Sequence, residues 1–217
     1  VISTNSDLGI VVDPDVDRLA LVCEDGSMFG EEYTLVSVSD YVLSKTPGNT
    51  VSNLSSTRAL ADITKKYNCE YHASAVGEVN VVEKMKLCNA VIGGEGNGGV
   101  IYPELHYGRD ALVGIALFLS NLAEKNISSL NLRNSYPNYF ISKNKLDLDP
   151  NTDIDYIFSQ LKNQYSKNDI NLVDGLKIDF DSGWVHLRRS NTEPIIRIYS
   201  ESSSKEKADE LAINFIN

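Results

Sequence analysis

Three short stretches of this chain carry residue types that could do chemistry. In "DPDVDR", residues 13–18, Asp13, Asp15 and Asp17 stand at every second position between two apolar runs. Carboxylates spaced in this way repel one another along a straight strand. If the chain curls, they can converge on a hard cation, and Mg²⁺ with its octahedron of oxygen ligands suits them. An EF-hand loop does not fit, because Arg18 stands where that loop needs glycine and the flanks read as strands. Asp13, following an apolar strand in a D-x-D context, also fits the nucleophile of an aspartyl phosphatase.

The second stretch is "GGEGNGG", residues 93–99. Gly94, Gly96 and Gly99 match G-x-G-x-x-G formally. A dinucleotide-binding turn must open a helix, however, and "VIYPELHYG" follows here, with β-branched residues and Pro103. Glu95 would also place a negative charge in a phosphate cradle. The glycines instead bring the backbone close to a ligand, while Glu95 and Asn97 offer acceptors and an amide suited to sugar hydroxyls. The third stretch, "RRSNTEP" (188–194), gathers Arg188, Ser190, Asn191 and Thr192 in one turn between strands. A guanidinium fork, two hydroxyls, an amide and free backbone N–H groups are what a phosphate dianion needs.

The elements that must position these loops follow from periodicity. "LGIVV" (8–12) and "RLALVC" (18–23) read as linked strands around the acidic loop, and 31–43 as a helix stopped by "TPGN". Strand and helix then alternate: strand 50–54, helix 56–68 with Ser56 as N-cap, strand 71–76, helix 80–88, strand 90–94 and helix 109–126. The last helix is apolar on nearly every side and is expected to be buried. This alternation predicts an α/β layer with a mostly parallel sheet. After Asn126 a polar, irregular linker leads into a strand. An amphipathic helix (153–165) follows, then strands "LKIDF" and "WVHLRR" joined by a "DSG" hairpin turn, strand "IIRIYS", and a helix with Ser203 and Glu206 in capping-box spacing. The fold class is therefore a mixed three-layer α/β domain followed by a smaller α+β domain. In the strand 184–189, Trp184, His186 and Arg188 share one face.

The chain has 217 residues and a net charge of −10. That acidity argues against a nucleic-acid partner, which needs a basic face. It also makes a cluster of arginines informative. Cys23, Cys69 and Cys88 have no paired spacing, as expected of a reduced, cytoplasmic setting. No apolar run approaches the ~20 residues of a membrane helix. The chain opens on Val1, already close to a strand, and reads as a piece of something longer.

The three loops, in this order, resemble those of the α-D-phosphohexomutase family, which includes phosphoglucomutases, phosphomannomutases and phosphoglucosamine mutases. "DPDVDR" resembles the family's magnesium loop, "GGEGNGG" its sugar loop and "RRSNTEP" its C-terminal phosphate loop. "VGEVNVVEKM" (76–85) and "GRDAL" (108–112) extend the likeness over nearly the whole chain. The resemblance implies the end of domain two in residues 1–30, domain three in 31–128 and domain four in 129–217.

It further implies Mg²⁺ on Asp13, Asp15 and Asp17, Arg18 beside the transferring phosphoryl group, and Glu95 and Asn97 on sugar hydroxyls. Arg188, Ser190, Asn191 and Thr192 would hold the phosphate not being transferred. The implied reaction interconverts hexose 6-phosphate and hexose 1-phosphate through a 1,6-bisphosphate and an enzyme phosphoserine. Nothing here resembles the family's serine loop, so the chain alone is expected to be inactive and to depend on the N-terminal domains of the same enzyme. Two departures bear on specificity: Asn97 stands where many members have serine, and Ala75 where many have a basic residue. An aspartyl phosphatase and a non-catalytic sugar-phosphate-binding fragment are the other readings of these residues.

Overall fold

In the computed structural model, residues 1–149, 152–190 and 193–216 are described. They form two compact units, Val1–Pro137 and Asn138–Asn217.

The first unit begins with a 3₁₀ turn, Ile2–Thr4, and two antiparallel strands, β1 (Leu8–Val12) and β2 (Leu19–Cys23), which flank the acidic loop. Next come α1 (Glu31–Lys45), β3 (Thr50–Asn53), α2 (Ala59–Lys66), β4 (Tyr71–Ser74), α3 (Glu78–Cys88), β5 (Ile92–Glu95), β6 (Gly99–Ile101), α4 (Ala111–Lys125) and α5 (Ser129–Asn134). The sheet order is β4-β3-β5-β6. β3 is parallel to both β4 and β5, and β6 returns antiparallel to β5. The alternation seen in the sequence thus gives the α/β layer, and the β-branched Val51 and Ile92 sit fully inside it. Val51 packs with Val81, Met85, Ala90 and Ile101, and Phe29 meets Phe118 edge-on at 4.9 Å.

Several local expectations change. α2 starts at Ala59 after Arg58, so Ser56 is not its cap. Ser56 is buried and binds elsewhere: its hydroxyl donates to Asn53 Oδ1 and accepts the Gly96 N–H. α4 is not buried all round. Ala111, Gly114, Phe118 and Asn121 face inward, while Leu112 is 64% and Leu119 44% exposed. Apolar composition alone does not say which face is covered. The segment expected to be irregular contains α5, capped by the Ser128 hydroxyl. Glu24 lies at the same helix start, accepting from Ser129 Oγ and the Leu130 N–H.

One buried charge shows how this unit satisfies its polar interior. Asp40, on α1, accepts from Tyr67 and Tyr136 and pairs with Lys125 and Lys66. A buried carboxylate is tolerable when its lone pairs are used in this way.

The second unit is an antiparallel sheet of order β7-β11-β10-β9-β8, with β7 (Phe140–Asp147), β8 (Asp169–Asn171), β9 (Leu176–Phe180), β10 (Gly183–Arg189) and β11 (Ile195–Ser202). α6 (Ile154–Gln164), capped by the Asp153 carboxylate, and α7 (Lys205–Ile216) complete the unit. The core joins Ile154 to Leu176, Ile178, Val185, Leu187, Ile196 and Ile198. The start of α7 falls one residue later than the capping-box spacing suggests. Ser204 accepts the Lys207 N–H, and Ser203 lies before it. No helix among the described residues is long and apolar enough to cross a membrane.

Candidate functional site

The site of the first unit lies at the carboxyl ends of the parallel strands, where open α/β sheets commonly bind ligands. Asn53 closes β3, Ser74 closes β4 and Glu95 closes β5. Glu95 is only 5% exposed in its side chain, so its charge must be answered by protein. Its Oε1 accepts from Asn53 Nδ2 at 2.8 Å and from the Gly77 N–H at 3.1 Å. Its Oε2 accepts from Arg109 Nη1 at 2.7 Å. A carboxylate has about four lone-pair sites. Three are taken, which leaves one on Oε2 for a ligand.

The glycine-rich stretch forms the β5–β6 hairpin, with Glu95 opposite Gly99. Gly98 takes φ 86°, and a Cβ there would lie 2.2 Å from Leu19 O, so the turn passes against the acidic loop's own strand. A hydrogen bond from the Leu19 N–H to Gly98 O, 3.1 Å, seals that approach. Asn97 uses Oδ1 to accept the Gly99 N–H at 3.1 Å. Its Nδ2 amide makes no hydrogen bond among the described residues and remains available as a donor.

The acidic loop curls as its charge pattern demands. Val16 adopts φ 57°, and Asp13 Oδ1 accepts from the Asp17 and Arg18 N–H groups at 3.1 and 3.0 Å. Arg18 Nε reaches back to Asp13 Oδ2 at 2.5 Å. One oxygen from each of Asp13, Asp15 and Asp17 lies within 4.8 Å of the others, a spacing that a single cation could bridge. The two flanking carboxylates differ. The Arg18 backbone N–H holds the Asp13 carboxyl well below its usual range despite burial, and the Arg18 side chain adds to it. Burial pushes Asp17 upward, and the pull of Arg109 does not offset it. Asp17 Oδ1 is buried and accepts no hydrogen bond, although Arg18 Nε lies 3.5 Å from it. A carboxylate oxygen that accepts no hydrogen bond, beside two further carboxylates, fits an oxygen-loving divalent ion.

Sequence reasoning passed over the residue at the centre of this site. Arg109 pairs with Asp17 through Nη2 and with Glu95 through Nη1, while its backbone N–H donates to Glu78 Oε1 at 2.8 Å. The available signal was the "GRDAL" stretch, which holds Arg109 just ahead of Asp110, the cap of an apolar helix, but to which no role was given. Asn53 and Glu78 were also missed. Their partners are distant in sequence, so no local spacing marks them.

In the second unit, Arg188 lies opposite Arg197 across β10 and β11. Directly opposed like charges are unfavourable unless anions compensate. Arg188 Nε lies 3.8 Å from Asp174, Arg189 pairs with Asp155 at 3.0 Å and Arg197 with Glu193 at 3.3 Å. The Ser190 N–H donates to Ile195 O at 3.0 Å, which closes the turn. Asn191 and Thr192 lie outside the described residues. His186 shares the face of Arg188 but is buried, and its Nε2 meets the Asp174 carbonyl at 2.6 Å. A carbonyl can only accept, so Nε2 carries the proton. Desolvation lowers the His186 pKa to about 4, although the bond to Asp174 opposes it.

Both units are matched by one family. Its domain III, described as the phosphoglucomutase/phosphomannomutase α/β/α domain, covers residues 30–139. Its C-terminal domain covers residues 155–217. The chain belongs to the phosphoglucomutase/phosphomannomutase family. A phosphoglucosamine/phosphogalactosamine mutase of Sulfurisphaera tokodaii is 33% identical over 94% of this chain and 46% of its own length.

Among solved structures of the fold, a phosphoglucomutase/phosphomannomutase family protein of Burkholderia thailandensis superposes with a TM-score of 0.81 at 24% identity, over 98% of this chain and 46% of that one. An N-acetylphosphoglucosamine mutase of Aspergillus fumigatus, in complex with GlcNAc-6P and magnesium, gives 0.68 at 14% identity, over 94% of this chain and 50% of that one. The chain spans about half the length of these relatives. Within the phosphoglucomutase/phosphomannomutase family it corresponds to a C-terminal portion.

Proposed function

We propose that this chain is the sugar- and phosphate-binding part of a phosphohexomutase, which interconverts hexose 6-phosphate and hexose 1-phosphate through a 1,6-bisphosphate. The observation that carries this reading is the fusion of the acidic loop and the β5–β6 hairpin into one site, with Arg109 shared by Asp17 and Glu95. Asp13, Asp15 and Asp17 would hold Mg²⁺, which supplies neutralising charge to a phosphoryl group in transfer. A fungal relative of the same fold was solved with magnesium, which supports Mg²⁺ as the choice of cation.

The chain's own residues divide the remaining work. Arg18, half-exposed and leaning on Asp13, can turn its free Nη groups to phosphate oxygens. Glu95 accepts one sugar hydroxyl with its last open lone pair, and the Asn97 amide donates to a sugar oxygen. Arg188, Ser190, Asn191 and Thr192 grip the phosphate that stays in place. Catalysis of this kind rests on positioning and charge, with little covalent chemistry asked of these residues. The phosphoserine donor lies, in this reading, outside these residues, in the N-terminal domains of the enzyme. The proposed domain limits are 1–30, 31–128 and 129–217.

Asp13 accepts three hydrogen bonds, which lower its nucleophilicity and weigh against the aspartyl-nucleophile reading. Calorimetric titration of the chain with glucose 1,6-bisphosphate in the presence of Mg²⁺, beside a coupled mutase assay, tests the proposal. Binding without turnover is expected. Absence of binding removes the preformed site, and turnover by this chain alone removes the external donor.

A further inference from the structure

Arg109 has no role in the reading above, yet it joins the two loops that would hold the cation and the sugar. Its guanidinium spans Asp17 and Glu95, and its side chain is only 19% exposed. The segment that carries it is fixed at several points. The Arg109 N–H is held by Glu78, the Asp110 N–H donates to Val100 O at 2.9 Å, and the Ala111 N–H donates to Val16 O at 3.0 Å in the acidic loop. The arginine stem also packs on Gly99, where an added Cβ would lie 2.5 Å from Arg109 Cδ. A guanidinium held in this way is a rigid planar fork.

The fork decides which carboxylate oxygens are spent. On Asp17 it takes Oδ2, and Oδ1 is left as a buried atom that accepts no hydrogen bond, with Arg18 Nε 3.5 Å away. On Glu95 it takes one lone pair of Oε2 and leaves the other open, because Oε1 is filled by Asn53 and Gly77. One side chain therefore sets the open oxygen on the cation loop and the open oxygen on the sugar loop.

We infer that Arg109 is a positioning residue that governs cation affinity and sugar affinity together. The inference rests on the functional reading of the two loops given above. Simple charge neutralisation is the competing role, and lysine would fill it, since an ammonium supplies the charge but cannot span both carboxylates.

The test uses Arg109→Lys and Glu78→Gln in this chain, titrated separately with MgCl₂, with glucose 1,6-bisphosphate and with inorganic phosphate. Loss of an outer partner of a metal site typically costs about 10–100-fold in affinity. Arg109→Lys should lower the affinities for Mg²⁺ and for glucose 1,6-bisphosphate by that factor, with inorganic phosphate bound as in the wild type. Glu78→Gln, which loosens the hold on Arg109 without touching Asp17 or Glu95, should lower the same pair by a smaller factor. It carries the test if Arg109→Lys proves unfolded by hydrogen exchange. Wild-type affinities in Arg109→Lys, or a loss confined to one of the two ligands, would overturn the positioning role and leave the site itself standing. A wild-type chain that binds neither Mg²⁺ nor the bisphosphate would instead overturn the functional reading, and the inference with it.

Discussion

In the first unit, Arg18 and Arg109 are surrounded by Asp13, Asp15, Asp17, Glu78 and Glu95, so carboxylates outnumber guanidinium groups and Asp17 keeps an oxygen that accepts no hydrogen bond. In the second unit, Arg188, Arg189 and Arg197 have one carboxylate each among the described residues, at 3.8, 3.0 and 3.3 Å, and those of Asp155 and Glu193 are exposed. The acidic cluster is cross-linked around the buried Glu95, and its surplus of negative charge suits a further cation. The basic turn holds its charges in loose pairs that a phosphate could replace. Buried networks resist the removal of a member, whereas exposed pairs contribute about 0–1 kcal/mol. The two regions should therefore respond to mutation in opposite ways.

The largest effect is expected where the comparison can be broken most directly. Glu95→Ala strips Asn53, Gly77 and Arg109 of a shared partner, and losing one member of a buried ion pair costs about 3–5 kcal/mol. Urea unfolding of the first unit, followed by hydrogen exchange in β3 and β5, should show a loss of that size. A loss under ~1 kcal/mol would mean the cluster behaves like the exposed turn.

Next in size is a pH effect in the second unit. The folded pKa of His186, about 4, lies below the unfolded value, so the unfolded chain takes up the proton first. The stability from neutral His186 is complete above the unfolded pKa of ~6.5 and is lost as pH falls from there towards 4, by about 3 kcal/mol in total. Trp184 is the chain's single tryptophan and lies buried in this unit, so its fluorescence isolates the transition. His186→Gln should flatten the profile between pH 6.5 and 4. An unchanged profile in that variant assigns the proton uptake to another group.

Binding sharpens the contrast further. Arg188→Ala should weaken glucose 1,6-bisphosphate by about 1.5–3 kcal/mol, the range for a hydrogen bond to a charged group. Arg188→Lys should recover only part of it. Equal affinities for all three proteins by calorimetry would take Arg188 out of the phosphate site. Asp15→Asn should have the smallest effect on stability, within about 0.5 kcal/mol, because Asp15 is exposed and makes no hydrogen bond among the described residues. Its Mg²⁺ affinity should nevertheless fall. A variant that binds Mg²⁺ normally would show that the cluster needs only Asp13 and Asp17.

The sequence was sufficient for whatever depends on local period and local chemistry. Alternating strand and helix patterns gave the α/β layer and the antiparallel second unit, since a period of two or of 3.6 residues is written along a single element. The acidic loop was legible because its carboxylates are neighbours in the chain. Tertiary structure alone decided the rest. Arg109 meets Asp17 across 92 residues and Glu95 across 14, so no spacing could announce the hub. Ser56 left its expected capping role because Asn53 and Gly96 gave its hydroxyl better-buried partners. Exposure of Leu112 and Leu119 followed from which face of α4 met the sheet, a choice that an apolar sequence leaves open. Hydrogen bonding and burial between distant segments are properties of the packed chain, and at this site they determine which oxygen atoms remain open to a ligand.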